Sequence, residues 1–498
     1  MTKPTKPLLG CSVLIILLLL ICSAGPLALA ANSLPDLGDE SAAALSPQDE
    51  RAIGEEFMRQ ARAQLEILDD PELNEYLQQL GKRITAGVEG QTGFHFFLIN
   101  NNTINAFAVP GGYIGVHTGL LLAARNEAEV AAVLAHETAH ITQRHIPRLI
   151  AESRRISGPA LAAMLAGILI AASGGQGGEA ALALTTAGLA QHELNFTRSF
   201  EQEADRIGMT ILNTAGYDAR AMPASFEQME IQSRLYENNL PEFLRTHPIT
   251  GRRIAESRNH AESFPLRANP DDTGFIHMRA RLQVLGNKPE VALRIFRGNL
   301  ENHTPATLAD RYGYAFALFT NKRFDEARQE INLLLKQKPD YVPYHILHAE
   351  IELASGNNSA GINAYTAAAR RFPHSLALTQ RQASALLKTG KAVQARQILD
   401  KAVRVHAQEP LLYKLLASAA GETGKHMEAH RAFGEYYFLI GQPRAAIEQF
   451  QLATRFAANN FYYVSSLEAR IKEIRETLPP ASDKSESRRD RSSPAERK

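Results

Sequence analysis

The chain has 498 residues, with 54 Lys and Arg against 53 Asp and Glu, a formal charge of +1, 45% hydrophobic residues and two cysteines. That length provides for two or three domains with ample apolar sequence for more than one core, and the near-neutral balance gives no argument for nucleic acid as a partner. Cys11 and Cys22 both fall within residues 1–30, so the rest of the chain can use neither a disulfide nor a thiolate ligand.

Lys3 and Lys6, the apolar run Val13 to Ile21 and the small-residue site Ala28-Leu29-Ala30 predict a cleaved secretory signal peptide over 1–30. Ile21 stands before Cys22, where a lipid-attachment site needs a small residue. Without Lys3 and Lys6 the formal charge goes from +1 to −1. Residues 31–46 read as a loose leader. From Pro47 to Ile84 the apolar positions follow a helical period, with Ile53, Phe57, Leu65 and Leu68 first and Leu73, Tyr76, Leu77 and Leu80 after. The period then changes. Phe94 to Ile99, Ala106 to Val109 and Tyr113 to His117 read as three short strands, separated by Asn100-Asn101-Asn102 and Pro110-Gly111-Gly112. Asn105-Ala106-Phe107-Ala108 is a candidate edge for holding an extended peptide by main-chain hydrogen bonds, though an ordinary hairpin fits the same residues.

Next comes His136-Glu137-Thr138-Ala139-His140. Asn126 and Glu129 read as a capping box, Val130, Val133, Leu134 and Ile141 keep a helical period, and Pro147 suggests a stop. Residues four apart on a helix lie about 40° apart around its axis, so His136 and His140 face one point, as a zinc ion requires of two neutral imidazoles. Glu137 flanks that face and can reach a water at the metal without ligating it.

Gly158 to Leu189 is rich in Ala, Gly and Leu, and Pro159 to Ala172 carries no charge. The uncharged run is short for a membrane span of about 20 residues. An apolar helix, a glycine-rich turn and a second helix are predicted, either packed on the body or forming a flap over 158–189 that touches lipid. Glu201 and Asp205 share a helix face, Glu201 as a possible third ligand and Asp205 as a buttress for an imidazole or a handler of a proton. Glu203 points elsewhere, toward solvent. His247, in the loop Thr246-His247-Pro248, either stabilises an oxyanion or occupies the metal's open position. Arg253 either stabilises the same charge or ties the loop down.

Pro, Asn and Asp mark a linker over Phe264 to Gly274. Beyond it Gly356, Gly390 and Gly424 recur every 34 residues, as do Ala327, Gly361, Ala395 and Ala429, with Pro339 and Pro373 in the turns between units. That is the signature of stacked tetratricopeptide helix pairs, whose concave face suits peptides or partner proteins. A weaker unit precedes them around Gly286 and Ala292, and Gly441 and Ala446 come only 17 residues after Gly424 and Ala429, marking an irregular last unit. Pro479 to Lys498 reads as a disordered tail. The organisation expected is therefore a signal peptide over 1–30, a leader over 31–46, a metalloprotease domain over 47–265, a repeat domain over 272–475 and a tail over 479–498. The fold class is α+β, mostly α.

Asn105 to Ala108 with Pro110-Gly111-Gly112, the His136 to His140 motif, Glu201 to Asp205, and Thr246-His247-Pro248 with Arg253 together resemble the M48 family of zinc metallopeptidases, of the gluzincin type, with tetratricopeptide repeats. The resemblance implies one Zn2+ per chain on His136, His140 and Glu201, Glu137 as general base and Asp205 as proton donor. It implies a periplasmic endopeptidase that degrades misfolded or stalled outer-membrane proteins and assists their assembly, with the repeats contacting clients or the insertion machinery. The competing reading is a periplasmic chaperone or scaffold that works by binding alone. An intact metal motif argues against it, because a scaffold needs none. His145 falls one place too early for the third histidine of a metzincin, with no glycine before it, and is not counted as a ligand.

Overall fold

The computed structural model describes residues 45–88, 93–152, 158–173, 191–235, 242–302, 307–457 and 460–478. The predicted signal peptide, nearly all of the leader, the turn and second helix expected up to Leu189, and the tail lie outside the described residues. The predicted helical stretch 47–84 is two helices, α1 (Pro47–Gln64) and α2 (Pro71–Thr85). Ser46 and Asp70 cap them by accepting the Asp49 and Leu73 N–H groups, and each has proline in its first turn, where no N–H is needed.

Strands β1 (His95–Ile99), β2 (Ala106–Val109) and β3 (Tyr113–His117) form a sheet in the order β1-β3-β2, with β1 parallel and β2 antiparallel to β3. Ala106 pairs with Val116 and Ala108 with Ile114. Both faces of the sheet are covered, which explains near-continuous apolar runs in place of alternation. Phe96, Leu98, Ala106, Ile114 and Val116 join the main core with α2 and the helix carrying the His motif. Phe97, Ile99, Phe107, Val109 and Tyr113 pack on α1 and on the apolar helix Gly158–Ala172. Leu169 and Ala172 of that helix are buried, with Leu165 and Ile168 packed beside them, so its described part packs on the body. Among the described residues no helix is long and apolar enough to cross a membrane.

After β3 come α3 (Thr118–Ala123), α4 (Glu127–Thr142), α5 (His145–Glu152), α6 (Gly158–Ala172), α7 (Gln191–Thr214), α8 (Ala221–Leu235), α9 (Glu242–Thr246) and α10 (Gly251–Ala261). Helix α4 is buried around nearly its whole circumference and forms the axis of the body. Asn126 caps it by accepting the Glu129 N–H, but Glu129 reaches past the cap to the N–H and guanidinium of Arg125, so the capping box is half made. Pro147 does not end this helix, since it sits inside α5. The stop is Arg144, whose φ of 51° is the left-handed conformation that breaks the hydrogen-bond ladder.

The remaining helices stack in pairs, α11 (Thr273–Leu285) with α12 (Pro289–Asn302), then α13 (Leu308–Thr320) with α14 (Phe324–Gln337), α15 (Val342–Ala354) with α16 (Asn358–Arg371), α17 (Leu376–Lys388) with α18 (Ala392–Val405), and α19 (Pro410–Glu422) with α20 (His426–Leu439). Gly356, Gly390 and Gly424 adopt φ of 89°, 71° and 72° in the turns inside the pairs. Lys322 takes the same position one period earlier at φ 61°, which a glycine search misses. Gly441, at φ 73°, repeats this turn between α20 and α21 (Pro443–Ala457), ahead of the last helix α22 (Phe461–Glu476). The stack closes on the body. Arg281 of α11 and Arg381 of α17 both pair with Asp70 and Glu72 of α2, and a Cβ at Gly441 would meet the Arg59 carbonyl of α1.

Candidate metal centre

Two helices bring the site together. Helix α4 carries His136, Glu137 and His140, and α7 carries Glu201 and Asp205. A bare Cα at Gly208 lets α7 approach α4, because a Cβ there would lie 3.1 Å from His136 Cα, 3.2 Å from His136 N and 2.9 Å from Met222 Cε. Gly208→Ala is therefore expected to cost about 1–3 kcal/mol through overpacking and to weaken metal binding by displacing Glu201. Its urea midpoint and metal content are the measurements.

The imidazoles of His136 and His140 present Nε2 to each other at 3.1 Å. Glu201 closes the third side, Oε2 lying 3.5 Å from His136 Nε2 and Oε1 3.4 Å from His140 Nε2. His247, which follows α9, completes the group with Nδ1 2.8 Å from Glu201 Oε1. One donor atom from each of these four residues falls within 4.8 Å of the others. Facing imidazole nitrogens cannot both present lone pairs without a proton or cation between them. A buried set of three nitrogens and one carboxylate fits a borderline-soft divalent ion.

The charge pattern agrees. Burial would lower His136, but the Asp205 and Glu201 carboxylates beside it outweigh that and raise it to about 9. Burial would raise Glu201, yet His247, His136 and Arg253 hold it well below the usual carboxylate range. The carboxylates thus favour positive charge at this point. Burial depresses His140 well below the usual imidazole value. Burial pushes the Glu137 carboxyl up against His247 and His136.

Asp205 and Arg253 form the next ring. Asp205 Oδ1 is 3.0 Å from His136 Nδ1, and both its oxygens accept from Arg253, at 2.7 and 2.8 Å. Arg253 also pairs with Glu201 at 2.8 Å, reaches the Pro248 carbonyl at 3.4 Å and stacks over Phe226. It ties the His247 loop to α7.

Of the candidate edge residues, Ala108 points its N–H toward the Glu137 carboxyl. The His117 N–H donates to the Asn105 carbonyl at 3.0 Å. In an antiparallel ladder this turns Asn105, Phe107 and Val109 toward β3 and leaves the main-chain groups of Ala106 and Ala108 on the outer side of β2. Ala106 is in the core, Phe107 packs on Phe57 and Phe97 across the sheet, and the Asn105 side chain is buried.

Two residues near the site escape the sequence reading. Glu203 is not simply solvated: it pairs with Arg148 at 2.9 Å and His145 at 3.4 Å. His145 itself is buried 2.9 Å from His140, Nδ1 to Nδ1. The signal was a histidine five places after a ligand candidate, but its direction depends on the left-handed Arg144.

Residues 69–261 match the profile of Peptidase family M48, and residues 352–419 match a tetratricopeptide repeat. The chain is 32% identical over 455 residues to a beta-barrel assembly-enhancing protease of Yersinia pestis, covering 90% of this chain and 92% of that one. It is 34% identical over 467 residues to a putative beta-barrel assembly-enhancing protease of Vibrio cholerae, covering 92% and 96%. It is 36% identical over 181 residues to a mitochondrial metalloendopeptidase, OMA1, of Schizosaccharomyces pombe, covering 36% and 50%.

Proposed function

Because the chain belongs to peptidase family M48 and is a metalloendopeptidase, we propose that it is a zinc enzyme of the periplasm that cleaves misfolded or stalled outer-membrane proteins and aids their assembly. The observation that carries this reading is the convergence of His136, His140 and Glu201 beside the outer side of β2. The relatives named beta-barrel assembly-enhancing proteases support the client class. The sequence pattern of residues 1–30 supports export.

In this reading His136 Nε2, His140 Nε2 and Glu201 hold one zinc, which when bound polarises the scissile carbonyl and lowers the pKa of a water to around 7. Glu137 is the general base, taking the proton from the attacking water and passing it to the leaving amine. Its burial and raised affinity for a proton suit both halves of that cycle. The outward main-chain groups of Ala106 and the Ala108 carbonyl hold the peptide extended past Glu137. Asp205 has its oxygens committed to His136 and Arg253, so its contacts support holding His136 over delivering a proton to substrate. His247 is buried within reach of the same point, which supports its being the fourth ligand of a resting, closed state.

His136→Ala and Glu201→Ala are expected to lose zinc, measured by elemental analysis of the purified chain. One full zinc retained in each variant would defeat the ligand assignment. His247→Ala is expected to keep zinc and to cleave an unfolded outer-membrane protein faster than the parent chain.

A further inference from the structure

A ligating imidazole uses one ring nitrogen for the metal, and the partner of the other fixes its tautomer and ring plane. His136 has Asp205 at Nδ1. Among the described residues His140 has no carboxylate at Nδ1; His145 Nδ1 is there at 2.9 Å. Resting on the zinc reading above, we propose that His145, backed by Glu203, is a positioning residue that orients His140 and strengthens it as a ligand.

Hydrogen-bond arithmetic sets the protons. With His140 Nε2 given to the cation, its Nδ1 carries the hydrogen and donates. His145 Nδ1 accepts, so the His145 proton sits on Nε2. That nitrogen faces Glu203 Oε2 at 3.4 Å, and Arg148 holds the same oxygen at 2.9 Å. The His145 ring is clamped on its flat side as well, stacked on Phe200 at 4.2 Å and 18°, with the Arg148 guanidinium at 4.7 Å from the same phenyl ring.

The backbone is bent to make this contact. Arg144 takes φ 51°, a conformation that non-glycine residues seldom adopt and that surrounding contacts must enforce. Its guanidinium donates to the Leu45 carbonyl at 2.7 Å and pairs with Glu50 at 2.9 Å. The turn directs the ring after it back onto the end of α4. Had α4 continued, residue 145 would have fallen away from the face shared by His136 and His140.

The test uses the full chain and zinc itself, with affinity read by competition against a chromophoric chelator. His145→Phe keeps an aromatic ring on Phe200 but removes both hydrogen bonds. It is expected to bind zinc about 10–100-fold more weakly with an unchanged circular-dichroism spectrum. His145→Gln can accept from His140 and donate to Glu203, and is expected to recover most of the loss. The visible spectrum of the cobalt-substituted chain should shift in the first variant and return in the second. Wild-type zinc affinity in His145→Phe, or a glutamine no better than phenylalanine, overturns the proposal. Should His145→Phe fail to fold, Glu203→Gln decides, because its side chain is 33% exposed and tolerates change. An affinity several-fold lower supports the relay and an unchanged one refutes it. A parent chain that binds no zinc would refute the zinc reading instead.

Discussion

Glu137→Gln is expected to lower cleavage of an unfolded protein substrate by a factor of about 10²–10⁴, the range that a positioned general base supplies. Zinc content and folding should be unchanged. The amide is nearly isosteric with the carboxyl, and Glu137 is not placed among the ligands. Ala106 is in the core with α4, so β2 keeps its place against that helix. What is lost is the capacity to take a proton at the point where β2 presents its outer side. Turnover measured against the parent chain, with zinc counted in both, separates the two effects. Undiminished cleavage would remove Glu137 from the mechanism, and loss of zinc would make it a ligand or a support for one.

The second large effect lies between the body and the repeats. Arg281→Ala is expected to destabilise the chain by about 3–5 kcal/mol, the cost of breaking a buried ion-pair network, because Asp70 and Glu72 are left to share Arg381 alone. Arg281 is 2% exposed and places two nitrogens on the two oxygens of Asp70, each at 2.8 Å. It also meets Glu72 at 3.1 Å and the Tyr312 hydroxyl at 3.1 Å, with its guanidinium over Phe316. Burial pushes Glu72 up to about 7 even with Arg281 beside it, so without that charge the carboxylate has still less reason to stay ionised. Asp70 caps α2, so the loss reaches the helix on which the repeats close. The midpoint of urea unfolding measures the change, and limited proteolysis between α10 and α11 should quicken with it. Replacing Arg281 and Asp70 together with Met and Asn should cost less than Arg281→Ala alone, because one carboxylate, Glu72, then faces one cation, Arg381. An unchanged midpoint for Arg281→Ala would mean that water already reaches Asp70 and Glu72.

Features fixed by short-range geometry were legible in the sequence. The His136 and His140 spacing determines a shared face on any helix, and the structure brings both Nε2 atoms together. The three strands showed as apolar runs because both faces of the sheet are covered. The repeats showed because a left-handed turn position strongly favours glycine, and Lys322 escaped because it takes that conformation without being one. Glu201 and Asp205 showed as a pair on one face, but nothing local said that α7 crosses α4 at His136; that depends on Gly208 and on packing. Glu203 was read as solvated, and the contact of His145 with His140 was not foreseen, for a related reason. A continued helix would have sent His145 elsewhere, and the single dihedral at Arg144 reversed its direction. The closure of α11 and α17 on α2 rests on pairs such as Arg381 with Glu72, which no periodicity reports.

The central claim is that two imidazoles and one carboxylate from α4 and α7 hold a zinc ion. A crystal of the unmodified chain, with anomalous differences collected on either side of the zinc absorption edge, tests it most directly. One strong peak in contact with His136 Nε2, His140 Nε2 and Glu201 is the predicted result. A map without a peak there, from a chain purified in the presence of zinc, or a peak bound by other residues, would contradict it.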